Sequence, residues 1–154
     1  QDVALATVPD GYGVVVIGHV FATLSGTYVS RVLDVLDTAK ANGVDVICCL
    51  QGHLHYDYFP TTTGGIPIIT TNSDKRASWI NTDGYNREPW QTLRTKGTIT
   101  EQCFDVHFIN RTNRTITTIR IGAPITEILS KSDPADGDTT YTADTPKEEQ
   151  VINY

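Results

Sequence analysis

The chain has 154 residues, 39% of them hydrophobic and 19% charged, which suits a single domain with a buried core and is too polar for a membrane protein. Its net charge of −6 argues against a general nucleic-acid binder, which presents a basic stripe. No apolar run approaches the length of a bilayer span and no signal-peptide pattern opens the chain, so a cytoplasmic location is the default expectation.

The three cysteines do not make a disulfide framework. Cys48 and Cys49 are adjacent in an apolar run and point to opposite faces of a strand, which rules against a bond between them. Cys103 stands in a different run, so all three are expected as buried, reduced thiols. Asn110-Arg-Thr and Asn113-Arg-Thr fit the glycosylation pattern but read as chance matches in a chain not expected to be secreted. The chain has no methionine and begins with Gln1, which points to a processed product or a piece of a longer protein.

Gln1 to Val8, with spaced apolar residues, is expected to be the last turns of a helix, stopped by Pro9-Asp10-Gly11. Val14 to Ile17 is a continuous β-branched run, the pattern of a central strand buried on both faces. Gly18 to Gly26 is a loop. From Tyr28 to Ala41, Val29, Val32, Leu33, Leu36 and Ala39 recur at helical spacing, and Asn42-Gly43 is a carboxyl-terminal stop. Val44 to Leu50 is the next strand, so residues 14–50 form one β-α-β unit with parallel strands. Ile66 to Thr70 is a short strand whose Pro67 marks an edge or a strand start. Residues 72–100 are polar and aromatic and read as a long ordered excursion. In it Trp79, Tyr85 and Trp90 either line a cleft or make a small core, and core is the favoured reading. Gln102 to Ile109 alternates, with Cys103, Asp105, His107 and Ile109 on one face and Phe104, Val106 and Phe108 on the other. Arg114 to Ile121 alternates too, and Asn110-Arg-Thr-Asn between the two predicts an antiparallel hairpin. Residues 124–154 are expected as a polar, acidic tail, extended or disordered.

Both strands of the β-α-β unit end in Gly-His: Gly18-His19 and Gly52-His53-Leu54-His55. Parallel strands bring these ends to one sheet edge, where open α/β sheets place their ligands. Neutral imidazole suits zinc, iron, manganese and nickel. In a loop leaving a strand, His53 and His55 can both turn inward while Leu54 packs away, and Gly52 permits a sharp turn. A single His-X-His is more often a solvent-exposed loop than a ligand set; two strand–Gly-His units in sequence favour a metal site. His107, inside an alternating strand, reads as structural. Asp57 is placed to orient one of the imidazoles by accepting its second N–H. Nothing near Cys48 or Cys49 would lower a thiol pKa, so neither is expected as a nucleophile.

"VVVIGH", a helix, and then "VDVICCLQGHLHYD" resembles the last two blocks of the calcineurin-like metallophosphoesterases, which close with a strand-end His and then Gly-His-X-His. "GGIPIITTNSDK" and "GTITEQCFDVHFINRTNRTITTIRIGA" are similar to the closing strands of bacterial and phage-associated members. The resemblance covers roughly residues 3 to 123. It implies part of an αββα sandwich, an α/β fold in which residues 1–123 are the carboxyl-terminal half of a phosphoesterase domain. It implies that His19 and His53 bind one divalent metal and His55 its neighbour. Two ions of Mn, Fe or Zn, about 3.5–4 Å apart, would clamp a phosphate mono- or diester and activate a bridging water.

The family's earlier blocks, Asp-X-His, Gly-Asp-X-X-Asp and Asn-His, do not occur ahead of the two Gly-His blocks of this chain, and with them its bridging carboxylate is missing. Val20-Phe21 stands where His-Pro often follows the first ligand, and Pro124 interrupts the closing turn. The three histidines alone would hold a single metal weakly or none, and the isolated chain is expected to lack phosphoesterase activity. Its expected partners are a phosphate ester substrate in the intact protein, and either an amino-terminal half of the domain or a second copy. The rival reading is a non-catalytic structural or binding module that keeps the fold, for instance a virion-associated one. A degenerate domain binding one metal is a third.

Overall fold

Helical spacing in residues 28–41 and β-branched runs on either side dictate a β-α-β unit, and a computed structural model of the protein contains one. The structure describes residues 2–21, 27–53, 57–71, 97–126, 128–131, 141–143 and 145–154. A short helix α1 (Asp2–Ala6) leads into strand β1 (Gly13–Ile17), helix α2 (Thr27–Ala41) and strand β2 (Asp45–Gln51). The helix ends where it must. Gly43, at φ +93°, takes the left-handed conformation; its amide donates to the Lys40 carbonyl and the Val44 amide to Ala39, closing a Schellman motif. Strand β3 (Ile68–Thr70) then pairs with β2, giving a three-stranded parallel sheet of order β1-β2-β3.

The strand order corrects one expectation. β1 lies at an edge of this sheet and β2 at its centre, and Ile17 at the end of β1 is 79% exposed. An apolar run reports cover above and below a strand, not neighbours to its left and right. Pro67, expected at an edge or at a strand start, directly precedes β3, which ends the order β1-β2-β3; on the other side Thr70 and Pro67 make isolated bridges to Tyr58 and Thr61.

A bulge opposite Val14 and Val15 inserts Ile47 as an extra residue in β2. Val46 and Cys49 consequently face α2, packing with Leu36, Ala39, Ile66, Ile68 and Phe21. Ile47 and Cys48 face the other way, with Ile69, Ile116, Ile152 and Tyr154. The two cysteines thus do point to opposite faces, and all three thiols are free and buried.

The second face of the parallel sheet is covered by an antiparallel one. After a 3-10 turn (Ile99–Glu101), β4 (Cys103–Asn110) and β5 (Thr115–Gly122) form the expected hairpin. Its turn closes with Arg114 at φ +56° and the Asn113 amide donating to the Asn110 side chain. Arg111 and Arg114 both bind Asp45, docking the turn onto the start of β2, and the Arg114 guanidinium lies 4.1 Å over the Tyr154 ring. Strands β6 (Ile128–Lys131) and β7 (Tyr141–Ala143) pair with one another, and β8 (Glu149–Asn153) pairs with β5. Residues 149–153 therefore form a third strand of the antiparallel sheet, within the stretch expected as an extended or disordered tail. Much of the excursion, with Trp79, Tyr85 and Trp90, lies outside the described residues.

The antiparallel sheet buries its more polar face. Cys103, Ile116, Thr118 and Arg120 point inward, while Phe104, Val106, Phe108, Ile121 and Val151 are exposed. What makes that tolerable is pairing: Asp57, Asp105 and Arg120 satisfy one another inside, and His107 Nδ1 shares a hydrogen bond with the Thr118 hydroxyl at 2.8 Å. The structural reading of His107 agrees with this geometry. No helix among the described residues is long and apolar enough to cross a membrane.

Candidate metal centre

The parallel pairing of β1 and β2 carries both Gly-His pairs to the same sheet edge. The ladder continues one residue past β1, where the Gly18 amide donates to the Leu50 carbonyl at 3.0 Å. The return bond comes from Gly52, whose amide donates to the His19 carbonyl at 3.1 Å. These two bonds fix the backbones that bear His19 and His53 relative to each other.

The imidazoles meet. His19 Nε2 lies 3.0 Å from His53 Nδ1, with ring centroids 4.9 Å apart and planes inclined at 79°. Both residues are exposed. That separation is a hydrogen bond between the two rings. Two nitrogens on a tetrahedral ion, each about 2.1 Å from it, would lie about 3.4 Å apart, so the rings are neighbours that need to part by only a few tenths of an ångström to share a metal. Two imidazoles do not complete a coordination sphere. Among the described residues no third His, Cys, Asp or Glu joins them, and His55 lies outside those residues.

The sharp turn falls one residue later than expected. Gly52 has no positive φ; His53 itself adopts φ +71°. A non-glycine residue held in this sparsely populated region carries backbone strain, which is characteristic of ligand-holding positions and needs a surrounding structure that enforces it.

Part of that enforcement comes from Gln51, which is 3% exposed. Its Oε1 accepts the Phe21 amide at 2.5 Å, its Nε2 donates to Thr70 Oγ1 at 2.7 Å, and its carbonyl accepts the Thr71 amide at 2.9 Å. Phe21 plugs the His19 loop into the core under α2, and its ring lies so close to Gly18 that any Cβ there would overlap it. Neither residue was picked out by sequence reasoning. The available signal was a lone amide side chain ending the apolar run Val44–Leu50, immediately before Gly-His.

Asp57 is not bonded to His19 or His53 among the described residues. Its Oδ1 accepts from Arg120 Nη2 at 2.6 Å, and its Oδ2 from the Thr126 amide at 2.9 Å and from Arg120 Nη1 at 3.3 Å. The role it does fill is structural, tying the far end of the His53 loop to β5. Burial opposes the Arg120 charge, but the hydrogen bonds it donates to Asp105 and Asp57 outweigh that and hold the guanidinium above its ordinary pKa. Arg120 is the second residue that sequence reasoning missed; its inward parity in β5 was legible, its partner was not. Burial pushes the Cys48 thiol up to about 12 and the Cys49 thiol up to about 11, which leaves both unreactive.

The amino-terminal edge of the parallel sheet holds a separate cleft of about 840 Å³ between Leu5, Tyr12, Asp34, Asp45 and Arg111. Its lining includes neither histidine. No protein-family model, curated protein or solved structure matches the chain.

Proposed function

We propose that this chain supplies histidine ligands to a divalent-metal centre of the metallophosphoesterase type, and that it is the carboxyl-terminal portion of such an enzyme. The observation that carries the proposal is the convergence of His19 Nε2 and His53 Nδ1 at the carboxyl edge of two parallel strands. In this reading the intact protein hydrolyses a phosphate mono- or diester with a pair of Mn, Fe or Zn ions, His19 and His53 share one ion, and His55 reaches the second. The metals act as Lewis acids and lower the pKa of a bound water. What the chain's own residues do is orient the imidazoles, and the tethers of both loops serve that end.

An α/β/β layering of helix, parallel sheet and antiparallel sheet agrees with part of an αββα sandwich. The exposed apolar face of β4 and β5 supports a further partner, either an amino-terminal half of the domain or a second copy. A second reading, a non-catalytic structural or binding module that retains the fold, for example a phage-associated one, is favoured by one observation: no carboxylate joins the histidine pair among the described residues.

Zinc and manganese titrations of the purified chain and of His53→Ala test the metal reading. Binding by the parent chain and its loss in the variant are expected; equal uptake by both refutes it. The chain alone should not turn over p-nitrophenyl phosphate, and metal-dependent turnover would refute its assignment as a partial centre.

A further inference from the structure

We infer that Gln51 is a positioning residue for the histidine pair, setting metal affinity without touching the ion. The inference rests on the metal reading of His19 and His53. Three observations carry it.

First, Gln51 is buried and spans the two loops that must stay in register. One end of its amide holds the Phe21 amide, two residues after His19; the other end is held by the Thr70 hydroxyl on β3. Gln51 itself is two residues before His53. A single side chain therefore links the backbone of one ligand loop to the root of the other.

Second, among the described residues few other links join the two loops. The Gly18–Leu50 and Gly52–His19 backbone bonds fix the strand ends, and Phe21 packs into the core. Beyond Gly18-His19, the Gln51–Phe21 bond fixes where the chain turns away, and so limits how far His19 can swing from His53.

Third, the pair needs such restraint. His53 is held at φ +71°, and both imidazoles are exposed, so neither is oriented by packing from all sides. Loops with solvent-exposed side chains relax unless hydrogen bonds at their roots prevent it. Partners that orient ligands in this way typically change metal affinity by about 10- to 100-fold when removed.

The amide chemistry defines the variants. Gln51→Met keeps the volume and deletes both side-chain bonds, leaving the Phe21 amide without its acceptor. Gln51→Glu keeps an acceptor for that amide, and its second oxygen can accept from the Thr70 hydroxyl, which is able to donate. Thr70→Val removes only the outer anchor.

The test is calorimetric titration of zinc into the parent chain, Gln51→Met, Gln51→Glu, Thr70→Val and His53→Ala, with circular dichroism to check folding. A ring-proton nuclear Overhauser measurement between His19 and His53 accompanies it. The expected result is a loss of about tenfold or more in affinity for Gln51→Met, a smaller loss for Thr70→Val, and near-parent affinity for Gln51→Glu. The His19–His53 ring contact should weaken in Gln51→Met and return in Gln51→Glu. Parent-like affinity in Gln51→Met overturns the inference while leaving the metal reading intact. Equal binding by the parent chain and His53→Ala overturns the metal reading and the inference with it. If Gln51→Met fails to fold, Thr70→Val decides: unchanged affinity and ring contact there overturn the inference.

Discussion

Removing the Arg120 guanidinium should be among the most damaging single changes in the described part of this protein. Among the described residues Arg120 is the sole cation between two carboxylates; its side chain and that of Asp57 are each 1% exposed, and that of Asp105 is 3% exposed. It donates to Asp105 at 2.5 and 3.2 Å, to Asp57 at 2.6 and 3.3 Å, and to the carbonyls of Ala123 and Pro124 at 3.2 and 3.4 Å. Arg120→Met preserves most of the stem and leaves both carboxylates buried without a counter-ion. Breaking a buried pair in this way costs about 3–5 kcal/mol. A domain's whole stability is about 5–15 kcal/mol, so the loss takes a large share of it. The sign with pH is specific. Burial holds the Asp57 carboxyl above its ordinary range even beside Arg120, and without that cation nothing offsets the burial, so the variant's deficit is smallest below about pH 4 and grows as pH rises towards 7. Urea unfolding followed by circular dichroism at pH 4 and pH 7, on the parent chain and the variant, reads both quantities. Adding Asp57→Asn to the variant should recover part of the loss. A deficit at pH 7 under about 1 kcal/mol, the size expected of an exposed pair, refutes the buried-clamp account. So does a deficit that does not change with pH.

His107 gives a pH dependence of the opposite sense. Burial holds its pKa below the ordinary value, with Arg120 adding to the effect and Asp105 opposing it, so stability is full above the unfolded histidine pKa of about 6.5 and falls as pH drops below it. His107→Gln, which can keep a bond to Thr118, should flatten that part of the stability–pH curve; an unchanged curve would count against it. Gly18→Ala should destabilise the chain by about 1–3 kcal/mol, because its methyl group displaces the Phe21 ring, and should weaken zinc binding with it. Parent-like unfolding and affinity would show that Phe21 does not anchor the His19 loop. A thiol reagent such as Ellman's should leave the cysteines unmodified in the folded chain and label all three in urea. Rapid labelling without denaturant would contradict their burial.

Local rules carried the reading of residues 13–51 and 103–122 a long way. Periodicity placed α2 to within a residue, and the Asn42-Gly43 stop is a left-handed cap in the structure. Alternation placed β4 and β5 and the hairpin between them. Most of what failed has a common cause, a relation between distant segments; the turn beside Gly52 is the local exception. The run Val14–Ile17 reported burial above and below but could not reveal that, among the described residues, β1 has a neighbour on one side only. The strand Glu149–Asn153 has few apolar residues, and its place is secured by backbone pairing with β5 and by Ile152 and Tyr154 entering the core. The partner of Asp57 lies 63 residues along the chain, so proximity in sequence pointed to the imidazoles instead. The turn assigned to Gly52 is taken by His53, which the identity of the preceding glycine concealed.

These misses converge on the candidate centre. The loop bearing His53 is held at both of its roots by residues that have no part in coordination. At one root Gln51 bonds to Phe21 and Thr70; at the other Asp57 bonds to Arg120 and Thr126. Four of these partners come from the His19 loop, from β3, from β5 and from the segment following β5, so the loop is referenced to both sheets at once. A metal site gains affinity when its donors are fixed before the ion arrives, since ordering them afterwards would be subtracted from binding. Exposed imidazoles on a doubly tethered loop meet that requirement and remain open to solvent and to an incoming ion. The polar interior of the antiparallel sheet follows from the same arrangement: Arg120 must point inward to hold Asp57, and the apolar side chains of β4 are left on the outer face. Position by position, inward arginine and outward phenylalanine look like errors of patterning. Taken with Asp57, the inward arginine is the anchor of the segment that follows the His53 loop.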